Sequence, residues 1–408
     1  MRLAPTASVV LIVAGALAHV PVMMVLGLVA GIVELGHAAW ERRGLRGVDY
    51  VRHLDTDRVG WGDEVGLTIE VWNRTGLPLP WVRADDDPAP GITVLDQPLV
   101  ETDRIGDVLR NVWTLAPSER VFRHLRLVTD RRGVFTLGPV RLSGGDLFAR
   151  PTTFEERGGI DRFIVRPRVV AAPELARPDR WGEIERARTG LSEDPSRFAG
   201  IRPWVPGDSI RRIHPRASAR LRQPMVKRYE PSRDREVLIA LDIQIETESS
   251  WSSAVNPDEV EALYVVAASL ATSLERGHSA FGIVAAGYAH STRKLASVAI
   301  SDAPGQAGRV LDLLARLSTF PSASFERLLA IVRRSVRPGT VVIALTCREP
   351  DAFLRSFRLL ERAGCHVVVL ASGPDAVANA RRARAAGFTA RTAVLDGPWP
   401  SAGRLLVA

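Results

Sequence analysis

The order of apolar and polar residues divides the chain into three stretches. The first contains 26 consecutive residues without a charge, from Ser8 to Val33. As one helix this run would be about 39 Å long, which is more than one bilayer core. His19-Val20-Pro21 lies near its middle, so a hairpin of two short helices is the competing interpretation. Either form predicts a membrane anchor over residues 1–40.

Three arginines, Arg42, Arg43 and Arg46, come after the apolar run. By the positive-inside rule they place the later domains in the cytoplasm. A cleaved secretory signal is another interpretation because Ala16-Leu17-Ala18 resembles a cleavage site, but the apolar run continues well beyond it. The sequence therefore predicts a protein of the cell membrane that contacts lipid through its N-terminal segment and keeps its soluble domains in the cytoplasm.

Short alternating segments fill the second stretch, residues 45–170. Val65–Trp72 alternates between apolar and polar residues, and the residues after it are typical of a turn. Further short strands are predicted around Val112–Leu115, Arg120–Val128 and Gly133–Leu142. Strands at this spacing predict an all-β sandwich of the immunoglobulin-like type.

The third stretch, residues 236–408, alternates apolar runs with helical periodicity. Val237–Leu241 ends at Asp242 and is typical of a buried parallel strand, and Pro257 with two acidic residues behind it predicts the start of a helix. The later predicted segments are the strands Ala280–Ala285, Thr340–Thr346 and His366–Leu370 and the helices Val310–Leu317, Phe325–Val332, Asp351–Ala363 and Asp375–Ala386. This alternation predicts a doubly wound parallel α/β sheet, with any site near the carboxyl ends of its strands.

Charge and cysteine content narrow the choice of partners. The chain has 54 basic and 46 acidic residues, and residues 197–235 alone hold eleven basic side chains against three acidic ones. Stacking aromatics are few in this basic segment, chiefly Trp204 and Tyr229, so nucleic acid is not expected as a partner. Cys347 and Cys365 are too few for a disulfide framework and fit a reducing compartment.

The basic segment lies in residues 171–235, between the predicted β-domain and the α/β domain, and it holds many distinctive residues at fixed spacing. It closely resembles the signature of the bacterial family called domain of unknown function 58. Arg216 stands where that family has lysine, and Pro215 stands where it usually has tryptophan. The residues that match the signature are Arg202, Trp204, Pro206, Gly207, Asp208, Arg211 or Arg212, Ile213, His214, Ser218, Ala219 and Arg220.

The same residues also carry a prediction that does not depend on the family. Pro206-Gly207-Asp208-Ser209 predicts a turn. Asp208 lies three and four residues before Arg211 and Arg212, so an ion pair is predicted if a helical turn comes next. Two roles stay open for the segment: an arm folded on the parallel sheet, and a surface for an acidic partner protein.

The resemblance implies a plan for the whole chain. It implies an N-terminal membrane anchor, a β-domain, the signature and a von Willebrand A-like C-terminal domain. It also implies a partner, because proteins of this kind are commonly associated with MoxR-type AAA+ ATPases. Such a motor would supply the nucleotide chemistry for which this sequence has no motif.

The resemblance also raises the question of a metal site. Von Willebrand A domains commonly bind Mg²⁺ through Asp-x-Ser-x-Ser after the first strand, together with a threonine and an aspartate from later loops. Here Asp242, Gln244 and Glu246 stand at the first three positions, and the later aspartate would fall near Thr346 or Cys347. Because Mg²⁺ needs a compact set of oxygen ligands, the sequence predicts a degenerate site without a cofactor. Cation binding by these residues stays as an alternative, as does an Asp242 that caps a helix or pairs with a signature arginine.

Motifs for catalysis are missing from the sequence. It contains no Gly-x-x-x-x-Gly-Lys-Ser/Thr, no Gly-x-Ser-x-Gly and no His-Glu-x-x-His. Two functions are therefore predicted. The first is a non-enzymatic, membrane-anchored protein-interaction scaffold that works with a MoxR-type AAA+ ATPase. The alternative is a Mg²⁺-dependent ligand- or adhesion-type binding module.

Overall fold

The architecture was obtained as a computed structural model. It describes residues 5–43, 45–102, 106–145, 151–172, 193–205, 208, 212–231, 236–244, 257–289, 292–321 and 323–408. The contacts within the chain divide it into two compact units, Met1–Val165 and Arg166–Ala408.

The N-terminal apolar run forms two helices, α1 (Pro5–Leu17) and α2 (Pro21–Arg43). Among the residues that the structure describes, no helix is both long and apolar enough to cross a bilayer. The 13 residues of α1 span about 20 Å, less than a bilayer core of about 30 Å. In α2 the apolar part ends where Glu34 begins a charged half. This finding overturns the predicted transmembrane segment at the N-terminus and the predicted location at the cell membrane.

The rest of the first unit consists of β-strands. In chain order its described strands are β1 (Val48–Leu54), β2 (Arg58–Val59), β3 (Val65–Asn73), β4 (Leu79–Pro88), β5 (Ile92–Val94), β6 (Val100–Thr102), β7 (Gly106–Leu115), β8 (Arg120–Thr129), β9 (Gly133–Gly145), β10 (Pro151–Arg157) and β11 (Asp161–Val165).

These strands form two sheets that share one core. One sheet has the order β1-β3-β8-β5, and the other has the order β2-β11-β9-β4-β7-β6 with β10 added beside β9. Neighbouring strands are antiparallel except for β2 and β11. Alternate residues of β3, such as Val65 and Ile69, and alternate residues of β7, such as Leu109 and Leu115, are buried in the same cluster. The period of two places one face of each sheet in this core.

A buried ionic cluster adds to this apolar core. The guanidinium of Arg52 pairs with Asp86 at 2.5 Å and with Asp161 at 2.7 Å, and the hydroxyl of Tyr50 donates a hydrogen bond to Asp86. Arg52 lies on β1, whereas Asp86 and Asp161 lie on β4 and β11 of the other sheet. Because buried charges are costly unless they are paired, the cluster holds the two sheets in one arrangement.

The second unit contains both strands and helices. Its described strands are β12 (Glu193–Pro203), β13 (Met225–Pro231), β14 (Val237–Leu241), β15 (Phe281–Ala289), β16 (Thr292–Ser301), β17 (Leu317–Pro321), β18 (Val341–Thr346), β19 (His366–Ala371), β20 (Thr389–Leu395) and β21 (Leu405–Val407). Its described helices are α3 (Pro215–Leu221), α4 (Pro257–Arg276), α5 (Gln306–Arg316), α6 (Phe325–Ser335), α7 (Leu354–Arg362) and α8 (Ala376–Ala385), with a short 3₁₀ turn at Pro350–Ala352.

The main sheet of this unit has the order β16-β15-β14-β18-β19-β20-β21, with β17 also paired to β15. Strands β15, β14, β18, β19 and β20 are mutually parallel. Val237 and Ile239 of the central strand β14 belong to a core with α4 and α5, whereas Leu238 and Ala240 belong to a second core with α6, α7 and α8. Every residue of β14 is buried, as expected for a strand that is covered on both faces.

These observations correct the predicted fold class, which combined a transmembrane segment, an immunoglobulin-like sandwich and a doubly wound parallel sheet of the von Willebrand A type. The chain is mostly β-structure spread over several sheets, and its described helices contain no membrane span. The main sheet is mixed, because β16, β17 and β21 run antiparallel to their neighbours. Strand β16 begins three residues after β15 ends, and so short a connection joins only antiparallel strands.

Candidate functional site

The family-like signature lies on a β-hairpin. Strands β12 and β13 pair antiparallel, with Arg202 opposite Val226 and Pro203 opposite Met225, and the chain between them contains α3. We call residues 193–231 the signature hairpin. Pro206, Gly207 and Arg211 of the predicted site lie outside the residues that the structure describes. The other predicted signature residues lie either in internal contacts of this hairpin or on its exposed side.

One internal contact fixes the chain after β12. The guanidinium of Arg202 donates two hydrogen bonds to the carboxylate of Asp208, at 2.6 and 2.7 Å. The backbone N–H of Val205 donates to the same carboxylate at 2.9 Å, and Nε1 of Trp204 donates to the backbone oxygen of Asp208 at 3.3 Å. The hydrogen bonds from Arg202 and then Val205 lower the pKa of Asp208 to about 2. Asp208 therefore closes a ring that holds Trp204 and Val205.

The principal partner of Asp208 differs from the predicted one. The sequence predicted pairing with Arg211 or Arg212 on a helical turn, but the bidentate pair is with Arg202, which precedes Asp208 in the chain. Arg212 contributes a weaker electrostatic effect that also lowers the pKa of Asp208.

A second contact fastens α3 to β13. Nδ1 of His214 accepts a hydrogen bond from the N–H of Ala217 at 3.1 Å and so caps the N-terminus of α3. The N–H of His214 donates to the carbonyl oxygen of Met225 at 2.8 Å. The hydroxyl of Ser218 donates to the carbonyl oxygen of His214 and accepts from the N–H of Met225, each at 2.9 Å. His214 and Ser218 thus have structural roles inside the hairpin.

The signature hairpin exposes both basic and apolar side chains. The arginines of α3 and its two ends are exposed: Arg212, Arg216, Arg220 and Arg222. Four large apolar side chains are exposed as well: Ile201, Trp204, Val205 and Leu221. Isolated exposed apolar residues are ordinary, but tryptophan and arginine are both enriched at interfaces, so the exposed residues of the hairpin are a candidate binding surface.

The carboxyl edge of the main sheet, where β14 and β18 end, was the other predicted site. Asp242 directly follows β14 and is fully buried. Its Oδ2 accepts from the hydroxyl of Thr346 at 2.9 Å and from Nε of Arg348 at 3.0 Å. Its Oδ1 accepts from the backbone N–H of Gln244 at 3.1 Å. Burial raises the pKa of Asp242, although Arg348 and these hydrogen bonds oppose that rise.

These contacts test the predicted Mg²⁺ ligands. The backbone N–H of Gln244 donates a hydrogen bond to the carboxylate of Asp242, and Glu246 lies outside the described residues. Mg²⁺ requires oxygen ligands at about 2.0–2.1 Å in an octahedron, yet the carboxylate of Asp242 faces a guanidinium and two other donors. Among the residues that the structure describes, no group of three His, Cys, Asp or Glu is placed to hold a metal ion. The described residues of this edge, Asp242, Gln244 and Thr346, do not fit a Mg²⁺ site.

Sequence reasoning missed Arg348. It named Thr346 and Cys347 as the positions nearest to a later aspartate, and the basic residue lies next to them in the chain. The structure also differs from the prediction that Asp242 pairs with an arginine of the signature, because its partner is Arg348. The sequence feature that could have identified Arg348 is its position two residues after the fully buried strand β18. An arginine at that position can reach back to the end of the neighbouring strand β14.

The two cysteines are free thiols in this unit. Burial raises the pKa of Cys347, and the nearby carboxylates of Glu259 and Asp242 raise it further. Burial also raises the pKa of Cys365. Because the thiolate is the reactive form, both side chains are poorly suited to act as nucleophiles at neutral pH.

Three structural likenesses cover parts of the chain. The CARDB domain of a Pyrococcus furiosus protein is 11% identical over 29% of this chain and 93% of its own, with a TM-score of 0.20. A Salmonella alpha-2-macroglobulin is 18% identical over 30% of this chain and 7% of its own, with a TM-score of 0.22. An alpha-2-macroglobulin from Escherichia coli is 15% identical over 41% of this chain and 9% of its own, with a TM-score of 0.21. At these TM-scores the likenesses carry no argument.

No curated protein matches the chain. A family model does match residues 200–298, from the signature hairpin to β16, and its description is "Protein of unknown function DUF58". The matched segment contains every signature residue from Arg202 to Arg220 and also Asp242. The contacts of Arg202, Asp208, His214 and Ser218 show why these residue types occur together, since they fold the hairpin on itself. The resemblance to the DUF58 family is therefore confirmed over residues 200–298, and the function of that family is unknown.

Proposed function

We propose that this protein is a non-enzymatic scaffold that binds another protein through the exposed side of the signature hairpin, and that its partner is a MoxR-type AAA+ ATPase. The observation that carries the proposal is the ring closed by Asp208, which holds the exposed Trp204 and Val205 in a hairpin that also exposes arginines on α3. The identity of the partner rests on the family resemblance.

The fixed position of Trp204 favours binding. Its backbone N–H donates to the carbonyl oxygen of Pro224 at 2.8 Å, and its indole N–H donates to Asp208. Tryptophan and arginine are the residues most enriched among those that dominate interface energies. A side chain held in place before binding loses less conformational entropy when the complex forms. Trp204 is therefore held in position before a partner protein binds.

The charge of the surface specifies the kind of partner. Arg216 and Arg220 are four residues apart on α3, so they lie on the same side of the helix, and both are exposed. An acidic protein surface complements these two arginines, and the attraction between opposite charges raises the rate at which the two proteins associate. Nucleic acid is a poorer match because stacking successive bases needs several aromatic rings. Among the hairpin side chains that the structure describes, Trp204 is the exposed ring.

The proposal assigns nucleotide hydrolysis to the partner. The chain has no phosphate-binding Gly-x-x-x-x-Gly-Lys-Ser/Thr stretch. We expect the purified chain to release no phosphate from ATP in a colorimetric assay, with the ATPase alone as the positive control. Hydrolysis by the chain alone that persists after further purification would contradict the non-enzymatic part of the proposal.

Binding is tested with the full chain immobilised and a MoxR-type ATPase from the same organism in solution. Trp204→Ala is expected to weaken binding by about 30-fold or more, as for an interface residue worth at least 2 kcal/mol. Arg216→Glu with Arg220→Glu is expected to lower the association rate and to reduce its dependence on salt.

Arg334→Glu is the control for charge reversal, since Arg334 is exposed on α6 and outside the hairpin. It should bind like the wild type. If the wild type does not bind the ATPase, or if the hairpin variants bind as well as Arg334→Glu does, the proposed function is wrong. The Mg²⁺-dependent binding module has no observation in its favour, because Asp242 is paired with Arg348.

A further inference from the structure

The fully buried Asp242 needs a positive charge close by. Its strand β14 lies between β15 and β18, and its side chain has no exposed surface. An ionised carboxylate in such a place is costly unless it is paired and hydrogen-bonded. The hydroxyl of Thr346 and the backbone N–H of Gln244 supply hydrogen bonds without a full charge. The positive charge has to come from another group.

Arg348 supplies it from a fixed position. Its Nε lies 3.0 Å from Oδ2 of Asp242, and its side chain is only 10% exposed. Its guanidinium lies over the ring of Phe353, 4.6 Å from the centroid. Its backbone N–H donates to the hydroxyl of Thr346 at 3.0 Å, so the threonine joins the turn of Arg348 to the carboxylate. Stacking, ion pairing and this turn all hold the guanidinium at the carboxyl edge.

We infer that the guanidinium of Arg348 is the resident cation of the carboxyl edge, standing where a divalent metal ion would bind Asp242 and Thr346. A metal ion would need both of these oxygens at about 2.0–2.1 Å, yet Oδ2 of Asp242 already accepts from both the guanidinium and the threonine hydroxyl. The arginine and the metal ion therefore exclude each other by contact and by charge. The edge is metal-independent because its cation is part of the chain.

Removal of the guanidinium is expected to open a cation site at the carboxyl edge. Asp242 keeps a carboxylate and Thr346 keeps a hydroxyl, both of them hard oxygen donors, and the lost side-chain head leaves room for a cation with water ligands. Arg348→Met retains an apolar stem that can pack on Phe353 and removes the guanidinium with its charge and its hydrogen-bond donors. In this variant the edge is expected to bind a divalent cation, which the wild type does not.

The test titrates the full-length wild type and Arg348→Met with MnCl₂ and MgCl₂. Electron paramagnetic resonance reports the Mn²⁺ that is bound, and the melting temperature reports the stability. The wild type is expected to show neither Asp242-dependent Mn²⁺ binding nor a metal-dependent shift. Arg348→Met is expected to melt at a lower temperature, to bind one Mn²⁺ and to regain melting temperature as Mn²⁺ is added. The double variant Asp242→Asn with Arg348→Met should lose both responses.

Arg337→Met is the matched control, because it removes an arginine of this unit whose ion pair with Glu236 is solvent-exposed. It should gain no metal response. The inference is overturned if the wild type binds Mn²⁺ through Asp242, or if Arg348→Met folds and ignores the metal. If Arg348→Met fails to fold without metal, it is refolded with Mn²⁺ present. Recovery of the folded state supports the inference, and failure overturns it.

Discussion

Replacing Ser218 by alanine is expected to loosen the signature hairpin without changing its exposed side. The hydroxyl of Ser218 accepts the hydrogen bond of the Met225 N–H and donates one to the carbonyl oxygen of His214. Met225 is buried, so its N–H would lose its partner in a place that water reaches poorly. An unsatisfied buried donor costs about 1–3 kcal/mol. Because the hairpin is a two-stranded sheet of its own, we expect the loss to appear as local opening.

Native-state hydrogen exchange of the Met225 amide measures this opening. A loss of about 1–3 kcal/mol corresponds to exchange about 5- to 150-fold faster at this amide. The amides of β14 should exchange as in the wild type. Ser335→Ala is the matched control, since the Ser335 hydroxyl donates only to carbonyl oxygens at the exposed end of α6. Unchanged exchange at Met225 in Ser218→Ala, or an equal change in Ser335→Ala, would refute this account of the hairpin.

Three further predictions concern the core and the Asp208 ring. Gly282→Ala is expected to lower the free energy of unfolding by about 1–3 kcal/mol, as measured by urea unfolding. Its new Cβ would lie 2.6–2.9 Å from the backbone of β16, whereas Gly397→Ala meets nothing within 4 Å and should be close to neutral. Phe357→Ala removes a fully buried ring from the core that is covered by α6, α7 and α8. It is expected to lower the free energy of unfolding by about 3–5 kcal/mol in the same assay. A smaller loss than that of Gly282→Ala would contradict this prediction. The pKa of Asp208 is about 2, below its ordinary value of 3.8, so the stabilisation by its pair with Arg202 is complete above pH 3.8 and is lost as pH falls toward 2. Carboxyl NMR titration checks this, and a midpoint near 3.8 would be the contrary result.

The sequence predicted the central elements of the second unit well. Val237–Leu241 is a strand and Pro257 begins a helix, because a wholly apolar run and a proline with acidic neighbours are local signals that packing did not override. The antiparallel strands Thr292–Ser301 and Leu405–Val407 were missed. An edge strand is less completely covered by the rest of the protein than a central strand is. Its sequence therefore mixes apolar and polar residues without a clear hydrophobic period.

The site was predictable in its residues but not in its contacts. The signature identified Arg202, Asp208 and His214, but helical spacing pointed to Arg211 and Arg212 as partners of Asp208 and did not show the bidentate pair with Arg202. Arg348 lies 106 residues from Asp242, and only the pairing of β14 with β18 brings them together. At the N-terminus, His19-Val20-Pro21 indicated the division into two helices, but a count of uncharged residues did not show that neither described helix is long and apolar enough to cross a bilayer.

The way in which the signature hairpin joins the main sheet decides how a mechanical load would be carried. Strand β13 ends at Pro231 and β14 begins at Val237, so a partner that pulls on the hairpin pulls on the leading end of an interior strand of the sheet. That strand is flanked by β15 and β18, both running in its own direction. Tension along it would shear two ladders of hydrogen bonds at once instead of unzipping them singly. A load applied through the hairpin would therefore be resisted by both neighbours of β14 together.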